Sequence, residues 1–233
     1  MEHFVLIVAG GSGRRMGATI PKQFLPLCGR PLLMHTIEKF YKYDSSCNIT
    51  VILPEQHISF WNKLTAEHQF SVPHKIVSGG EERFHSVKNG LDTLPAEGLV
   101  AIHDGVRPMV SLDTISRCFD EAEKSGSAIP VVIPSESVRM LTTNGSMSLN
   151  RDIVRLVQTP QVFTLAIIKK SYQEDFSREF TDDATVAEKA GYPISLVEGN
   201  RENIKITTED QLHYAETLLG CDCYKQESGP RAE

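Results

Sequence analysis

The sequence predicts an α/β fold on a mostly parallel sheet with one protruding β-hairpin arm, and three observations carry that expectation. Short apolar runs of strand length alternate with stretches of helical period along most of the chain. Three of these runs end in loops rich in glycine and charge: Gly10-Gly11-Ser12-Gly13-Arg14-Arg15, Gly79-Gly80-Glu81-Glu82-Arg83 and Asp104-Gly105-Val106-Arg107. From Ser137 to Val157 the pattern changes to two β-rich runs around Asn144-Gly145-Ser146, a turn sequence that tolerates positive φ.

Taken in order, strands are expected near 3–9, 49–53, 75–78, 99–103 and 128–133, with crossover helices between them. Helical periodicity is clearest at 31–43, where proline suits a first helical position, and at 83–94 and 112–124. After the arm at about 136–157, the chain returns through a helix starting near Thr164, a helix over 182–190, a strand at 194–197 and a last helix over 209–218. An isolated two-stranded ribbon is marginal in water, so the arm needs another surface, its own sheet or a second subunit. Residues 1–219 read as a single domain, and 220–233 as a polar, disordered tail.

Composition narrows the function. With 24 Lys+Arg against 30 Asp+Glu the net charge is −6, which argues against a non-specific nucleic-acid or anionic-membrane surface. No apolar run approaches the ~20 residues of a membrane span, and the opening residues carry no secretory pattern, so a cytoplasmic protein is expected. The five cysteines, Cys28, Cys47, Cys118, Cys221 and Cys223, are scattered and form no CxxC pair, which reads as reduced structural thiols.

Against that acidic background, no carboxylate occurs between Glu2 and Glu38, and the gap holds Ala9-Gly10-Gly11-Ser12-Gly13-Arg14-Arg15-Met16 and Pro21-Lys22-Gln23. Glycines let backbone N–H groups approach a ligand closely, while Arg14, Arg15 and Lys22 concentrate positive charge that nothing in sequence cancels. That is the composition of a polyphosphate cradle. Neither standard glycine motif fits: Met16 stands where a dinucleotide fingerprint needs a third small residue, and GxxxxGK[ST] spacing is absent. An acidic ribose residue about 20 positions on is also missing, which removes a nicotinamide-dependent oxidoreductase. Because Pro21 biases Ile20 away from helical geometry, 10–22 reads as a long irregular loop, the kind that carries function.

Seven motifs in order then resemble one family: AGGSGRRM (9–16), PKQFLPL (21–27), GGEERFHSVKNGL (79–91), HDGVRP (103–108), TPQVF (159–163), TDDA (181–184) and VEGNRENIKIT (197–207). Through them the chain resembles the 2-C-methyl-D-erythritol 4-phosphate cytidylyltransferases of non-mevalonate isoprenoid biosynthesis, over nearly its whole length. The resemblance implies a Rossmann-like three-layer nucleotidyltransferase fold. It also implies a reaction of CTP with the polyol phosphate that releases pyrophosphate with Mg²⁺ present. The attacking phosphate is already an anion, with a second pKa near ~6, so no general base or nucleophilic triad is needed. Charge compensation and in-line positioning suffice.

Carried over by the resemblance, Arg15, Lys22 and Lys205 are the catalytic cations. Ala9, Gly10, Gly11, Gly13, Arg14, Gly80, Glu81, Arg83, Ser86 and Asp104 hold CTP. Asp104, Arg107, Ser137, Arg151, Thr159, Thr181 and Asp182 form the acceptor pocket. Asp104 is the one candidate metal ligand, most Mg²⁺ ligands coming from the phosphates. Asp182 and Asp183 suit a helix N-terminus, and His103 reads as structural. The resemblance also implies a homodimer through the arm, with shared sites. Glu81 and Ser137 depart from the aspartate and threonine common in relatives, which puts base and acceptor contacts in doubt and leaves the reaction class untouched. Alternatives are a ribitol 5-phosphate cytidylyltransferase and a non-catalytic CTP-binding regulatory module. The GGxxR and TDDA segments speak against the first, and the presence of Arg15, Lys22 and Lys205 against the second.

Overall fold

In the computed structural model, residues 1–10 and 20–221 are described. The chain runs β1 (His3–Val8), a 3-10 turn at Lys22–Phe24, β2 (Pro26–Leu27), β3 (Arg30–Pro31), α1 (Leu32–Tyr43), β4 (Asn48–Leu53) and α2 (Glu55–Glu67). It continues through β5 (Lys75–Ser78), α3 (Arg83–Asp92), β6 (Leu99–Asp104), α4 (Leu112–Ser125) and β7 (Ser127–Val132). The arm is β8 (Val138–Thr142) and β9 (Gly145–Leu149). Last come β10 (Leu156–Val157), β11 (Gln161–Thr164), α5 (Leu165–Ser171), α6 (Asp183–Lys189), β12 (Ser195–Glu198) and α7 (Glu209–Leu218).

An eight-stranded sheet in the order β10-β7-β11-β6-β1-β4-β5, with β12 also on β7, forms the middle layer. The pairs β1–β6, β1–β4, β4–β5 and β7–β12 are parallel. Alternation along β1 sends its side chains into two different cores. Val5 and Ile7 pack with Leu33, Ile37, Trp61 and Phe119 of α1, α2 and α4, whereas Phe4 and Leu6 pack with Val87, Ile168 and Val186 of α3, α5 and α6. Helices on both faces explain why the central strands are apolar throughout rather than alternating.

Local chemistry sets the element ends. Ser111 caps α4 by accepting from the Thr114 N–H, and Gly126 ends that helix with φ +90°, a conformation costly for any other residue. Thr208 and Gln211 form a capping box at the start of α7. Among the described residues, no helix is long and apolar enough to cross a membrane.

Three readings need correction or refinement. The TPQVF segment contributes β11, which lies antiparallel between β6 and β7, so the sheet is mixed. Its four residues are too few for periodicity to register. Pro31 occupies the N-cap of α1, one position before the first helical residue. Finally, Cys28 and Cys221 are disulfide-bonded with Cα atoms 5.7 Å apart, 193 residues apart in sequence, so they are not free thiols. Sequence spacing carries no information about a pairing that only the packing of α7 against β2 creates. Cys47 and Cys118 are free and buried, in line with structural thiols; Cys223 and the rest of 222–233 lie outside the described residues.

Candidate active site

Because β1, β4, β5 and β6 run parallel, the residues that follow them meet at one rim. Two adjoining hollows open there. The first is lined by Ala9, Gly10, Lys22, Gly80, Glu81 and Ser86, the second by Arg107, Thr159, Gln161, Thr181 and Asp182. Arg83, Asp104 and Lys205 line both, so one charged cluster separates and joins the two spaces.

Asp104 is the centre of that cluster. Its Oδ2 lies 3.0 Å from Lys205 Nζ and 3.1 Å from Arg107 Nε, and its Oδ1 lies 3.9 Å from Arg83 Nε. Burial alone would favour the protonated acid, but Lys205, Arg83 and Arg107 hold its pKa well below the usual carboxylate range. Asp104 is therefore a fixed anion that gathers three cations at a strand end. Since the cations outnumber it, the cluster remains receptive to additional negative charge.

The cations are themselves held. Arg83 grips Asp183 with two charge-assisted bonds of 2.8 and 2.6 Å, and the Tyr172 hydroxyl donates to the same carboxylate at 2.6 Å. Although burial works against its charge, Asp183 and Asp104 raise the Arg83 pKa beyond its already high value. Arg107 donates to the Asn203 carbonyl at 2.8 Å, and Asn203 in turn donates to the Thr159 carbonyl at 2.8 Å. That links Arg107 at the β6 end to the segment that carries Lys205.

Other predicted residues are positioned less directly. The Thr159 hydroxyl accepts from the Asp104 N–H at 3.1 Å and pairs with His103 Nδ1 at 3.0 Å, so it braces the end of β6. His103 is fully buried, its pKa driven down to about 4 chiefly by that burial, and it packs edge-on against Phe40. This agrees with a structural histidine. Ser86 Oγ accepts from the Gly80 N–H at 3.0 Å, tying the glycine loop to α3. Asp182 caps α6 through Thr185 N–H and accepts from Gln161 Nε2 at 2.8 Å, as expected of a helix N-terminal acid. Asp183 opens the first turn of α6, as expected, and also holds Arg83, a partnership that no local spacing reveals.

Among the described residues, nothing lies within 4 Å of where a Gly10 side chain would start. Gly105 is different: an added Cβ would sit 2.9 Å from the Ala9 Cβ and 3.2 Å from the Val8 carbonyl, so only glycine lets β6 turn away against the first loop. Gln23, fully buried, donates to the Ala9 carbonyl at 2.7 Å and so anchors the start of that loop from its far end. Gly11, Gly13, Arg14 and Arg15 lie outside the described residues. Ser137 and Arg151 belong to the base of the arm, where Arg151 donates to the Ser135 carbonyl at 2.9 Å, and line neither hollow.

A divalent cation between the two hollows would meet Asp104, the carboxylate that lines both, with Glu81 and Glu82 lining the first and Asp182 the second. Asp104 is ionised, and its Oδ1 lies 3.9 Å from Arg83 Nε. Among the described residues no group of three His, Cys or acid ligands lies here. The donor set suits a cation carried mainly by phosphate oxygens and water, and does not suit an all-protein cage.

A three-layer α/β sheet with a glycine-led loop and an anion-receptive cluster between two hollows defines the class, an enzyme of the nucleotidyltransferase type. The family model for 2-C-methyl-D-erythritol 4-phosphate cytidylyltransferase (IspD) matches residues 3–221, and the chain belongs to that family. It is 52% identical over 219 residues to the enzyme of that name from Bacteroides thetaiotaomicron, covering 94% of this chain and 100% of the relative. To the Halalkalibacterium halodurans enzyme it is 38% identical over 222 residues, covering 94% and 97%. Among solved structures, the cytidylyltransferase of Francisella tularensis superposes with a TM-score of 0.77 at 33% identity, covering 94% of this chain and 100% of that one.

Proposed function

We propose that this chain joins CTP to 2-C-methyl-D-erythritol 4-phosphate, giving 4-diphosphocytidyl-2-C-methyl-D-erythritol and pyrophosphate for isoprenoid precursor synthesis. The observation that carries the reading is the shared Arg83–Asp104–Lys205 cluster between two hollows, since the reaction brings two phosphorylated molecules to one phosphorus.

In this reading CTP occupies the first hollow. The Gly10 and Gly80 backbones frame the cytosine, with Ala9, Gly11, Gly13, Arg14, Glu81 and Ser86 around the nucleotide. Arg15 and Lys22 hold the triphosphate, and Lys205 neutralises charge developing at the α-phosphorus. Methylerythritol phosphate occupies the second hollow, its phosphate on Arg107, with Thr181 and Asp182 beside its hydroxyls. Lys205 Nζ sits 3.0 Å from Asp104, whose anion orients it. No proton needs to be removed from the nucleophile, so the work is positioning and electrostatic compensation. Asp104 Oδ1 would hold Mg²⁺, which supplies charge neutralisation on the phosphates and orients them in line.

Ser137 and Arg151 complete the acceptor pocket of a neighbouring subunit, and Thr159 supports the local one. A homodimer through the arm is supported by exposed Met140, Leu141, Met147, Ile153 and Leu156, an apolar surface on and beside a ribbon that has no sheet neighbour of its own. We place the enzyme in the cytoplasm, with residues 1–219 as its one catalytic domain.

The test is pyrophosphate release from CTP and Mg²⁺ with methylerythritol phosphate or ribitol 5-phosphate as acceptor. Release with the first alone is expected. Release with ribitol phosphate alone overturns the acceptor, and release with neither overturns the reaction.

A further inference from the structure

At the opposite end of β1 from the crevice, three donors of metal-ligand type converge. His3 opens β1, Asp44 is the C-cap residue of α1, and Cys47 lies just before β4. Their ligand atoms all lie within 4.8 Å of one another. His3 Nδ1 is 3.8 Å from Asp44 Oδ2, and Cys47 Sγ is 3.6 Å from the same oxygen. Tetrahedral zinc, with bonds of about 2.0–2.3 Å, requires ligand atoms about 3.3–3.7 Å apart. The donors thus need only small movements to enclose an ion.

We propose that His3, Asp44 and Cys47 form a structural binding site for a borderline-soft divalent cation, with Zn²⁺ as its occupant and water as the fourth ligand.

The Cys47 thiol donates to Asp44 Oδ2, a weak bond that an ion between them would replace, and no other hydrogen bond among the described residues engages the proposed ligand atoms. Asp44 Oδ1 accepts from the Ser46 N–H at 2.8 Å and the Ser46 hydroxyl at 2.6 Å, which fixes the carboxylate and turns Oδ2 toward the other two residues. A turn of this kind explains Oδ1 but not His3, whose Nδ1 is buried with no hydrogen-bond partner. Such an orphan is costly unless something fills its lone pair. The imidazole is held flat against Phe119, with ring centroids 4.2 Å apart, so its orientation is set before any ion arrives. Burial lowers the His3 pKa, favouring the neutral form that ligates.

Burial and the neighbouring Asp44 push the Cys47 thiol up to about 12, so the ion has to displace that proton, and the cation's own attraction for the thiolate must outweigh this cost. Asp44 stands at the carbonyl end of α1, the negative end of the helix dipole. Binding would release the Cys47 thiol proton, forming a sulfur–zinc bond, and the thiolate and the Asp44 carboxylate would balance the two positive charges. A thiolate–imidazole–carboxylate set excludes Mg²⁺ and Ca²⁺, which take oxygen ligands. His3 and Asp44 side chains are 23% and 33% exposed, which leaves an entry path. β1 separates this site from the crevice by about 17 Å at ~3.3 Å per residue, so the ion would brace the start of the strand and take no part in phosphoryl chemistry.

The probe is Co²⁺ titrated into the chelator-treated full chain, followed by displacement with Zn²⁺. A near-ultraviolet thiolate-to-cobalt charge-transfer band and intense tetrahedral visible bands are expected, saturating at one ion per chain and bleached by Zn²⁺. Cys47→Ser should abolish the charge-transfer band and weaken Co²⁺ binding by more than ~100-fold, beyond the ~10–100-fold cost of losing an outer partner. His3→Gln should weaken it at least ~10-fold, and Cys118→Ala should leave it unchanged. Pyrophosphate release by Cys47→Ser should match the parent. Absence of the band in the parent, or its persistence in Cys47→Ser, overturns the proposal. If Cys47→Ser does not fold, unchanged affinity in His3→Gln overturns it instead.

Discussion

Lys205 illustrates how little one residue reveals by itself. In sequence it is a lysine between two isoleucines at the end of a polar stretch, and only the fold sets its Nζ 3.0 Å from Asp104, beside both hollows. Lys205→Ala removes a preorganised donor, so kcat should fall about 10²–10³-fold, equivalent to ~3–4 kcal/mol of barrier. Steady-state pyrophosphate release measures it, with an unchanged melting temperature separating catalysis from folding. A variant retaining parental turnover would remove Lys205 from the reacting centre.

His103 makes the complementary point, since it resembles a catalytic base beside Asp104 yet is buried as structure. Its pKa falls from 6.5 to about 4 on folding. Between these values the unfolded chain binds the proton and the folded one does not, so stability decreases as pH falls through that window, by about 3 kcal/mol in all. His3 and His35 are also lowered and tilt the curve the same way. The His103 share is therefore the difference in slope between the parent and His103→Asn, read from melting temperature against pH. An identical slope in the variant would show that His103 is already protonated in the fold. Asp104 acts in a lower window: the stability drawn from its ionised form is present above the ordinary carboxylate pKa and lost as pH falls below it.

At the scale of elements, the arm is the outlier. The β8–β9 ribbon forms a sheet of its own, and Leu141 at its tip is 84% exposed. Alternation and the Asn144-Gly145 turn made the hairpin legible in sequence, while the partner surface proposed for it was not, because a contact with a second subunit leaves no periodic trace. Leu141→Glu combined with Met147→Glu should convert a dimer to monomers by light scattering and reduce turnover at least ~10-fold, with the core melting as before. A variant that remains dimeric would place the interface elsewhere. The missed strand β11 has a different cause: it is short, buried between β6 and β7, and follows Pro160, so propensity alone reads it as loop.

For the whole molecule, the Cys28–Cys221 bridge ties the end of α7 to the turn between β2 and β3 across 193 residues. Chain-entropy reasoning assigns such a loop a ceiling of about 5 kcal/mol, or ~10 °C in melting temperature at this size. Dithiothreitol should lower the melting temperature of the parent toward that of a Cys28→Ser, Cys221→Ser variant and leave the variant unmoved. Equal melting temperatures with and without reductant would mean the link contributes nothing to folding.

The alternation of strands and helices, the parallel centre of the sheet and the glycine-rich, charged loops after three of its strands were legible in the amino-acid sequence, and the kind of chemistry only through the resemblance that seven ordered motifs carry. These depend on short-range patterns, apolar period and glycine placement, which are written locally. Tertiary structure alone decided that Asp183 and Tyr172 hold Arg83, that Asn203 links Arg107 to the Lys205 segment, that Gln23 anchors the first loop, and that Cys28 meets Cys221. Those contacts join residues far apart along the chain, and no local period encodes a distance that only packing creates.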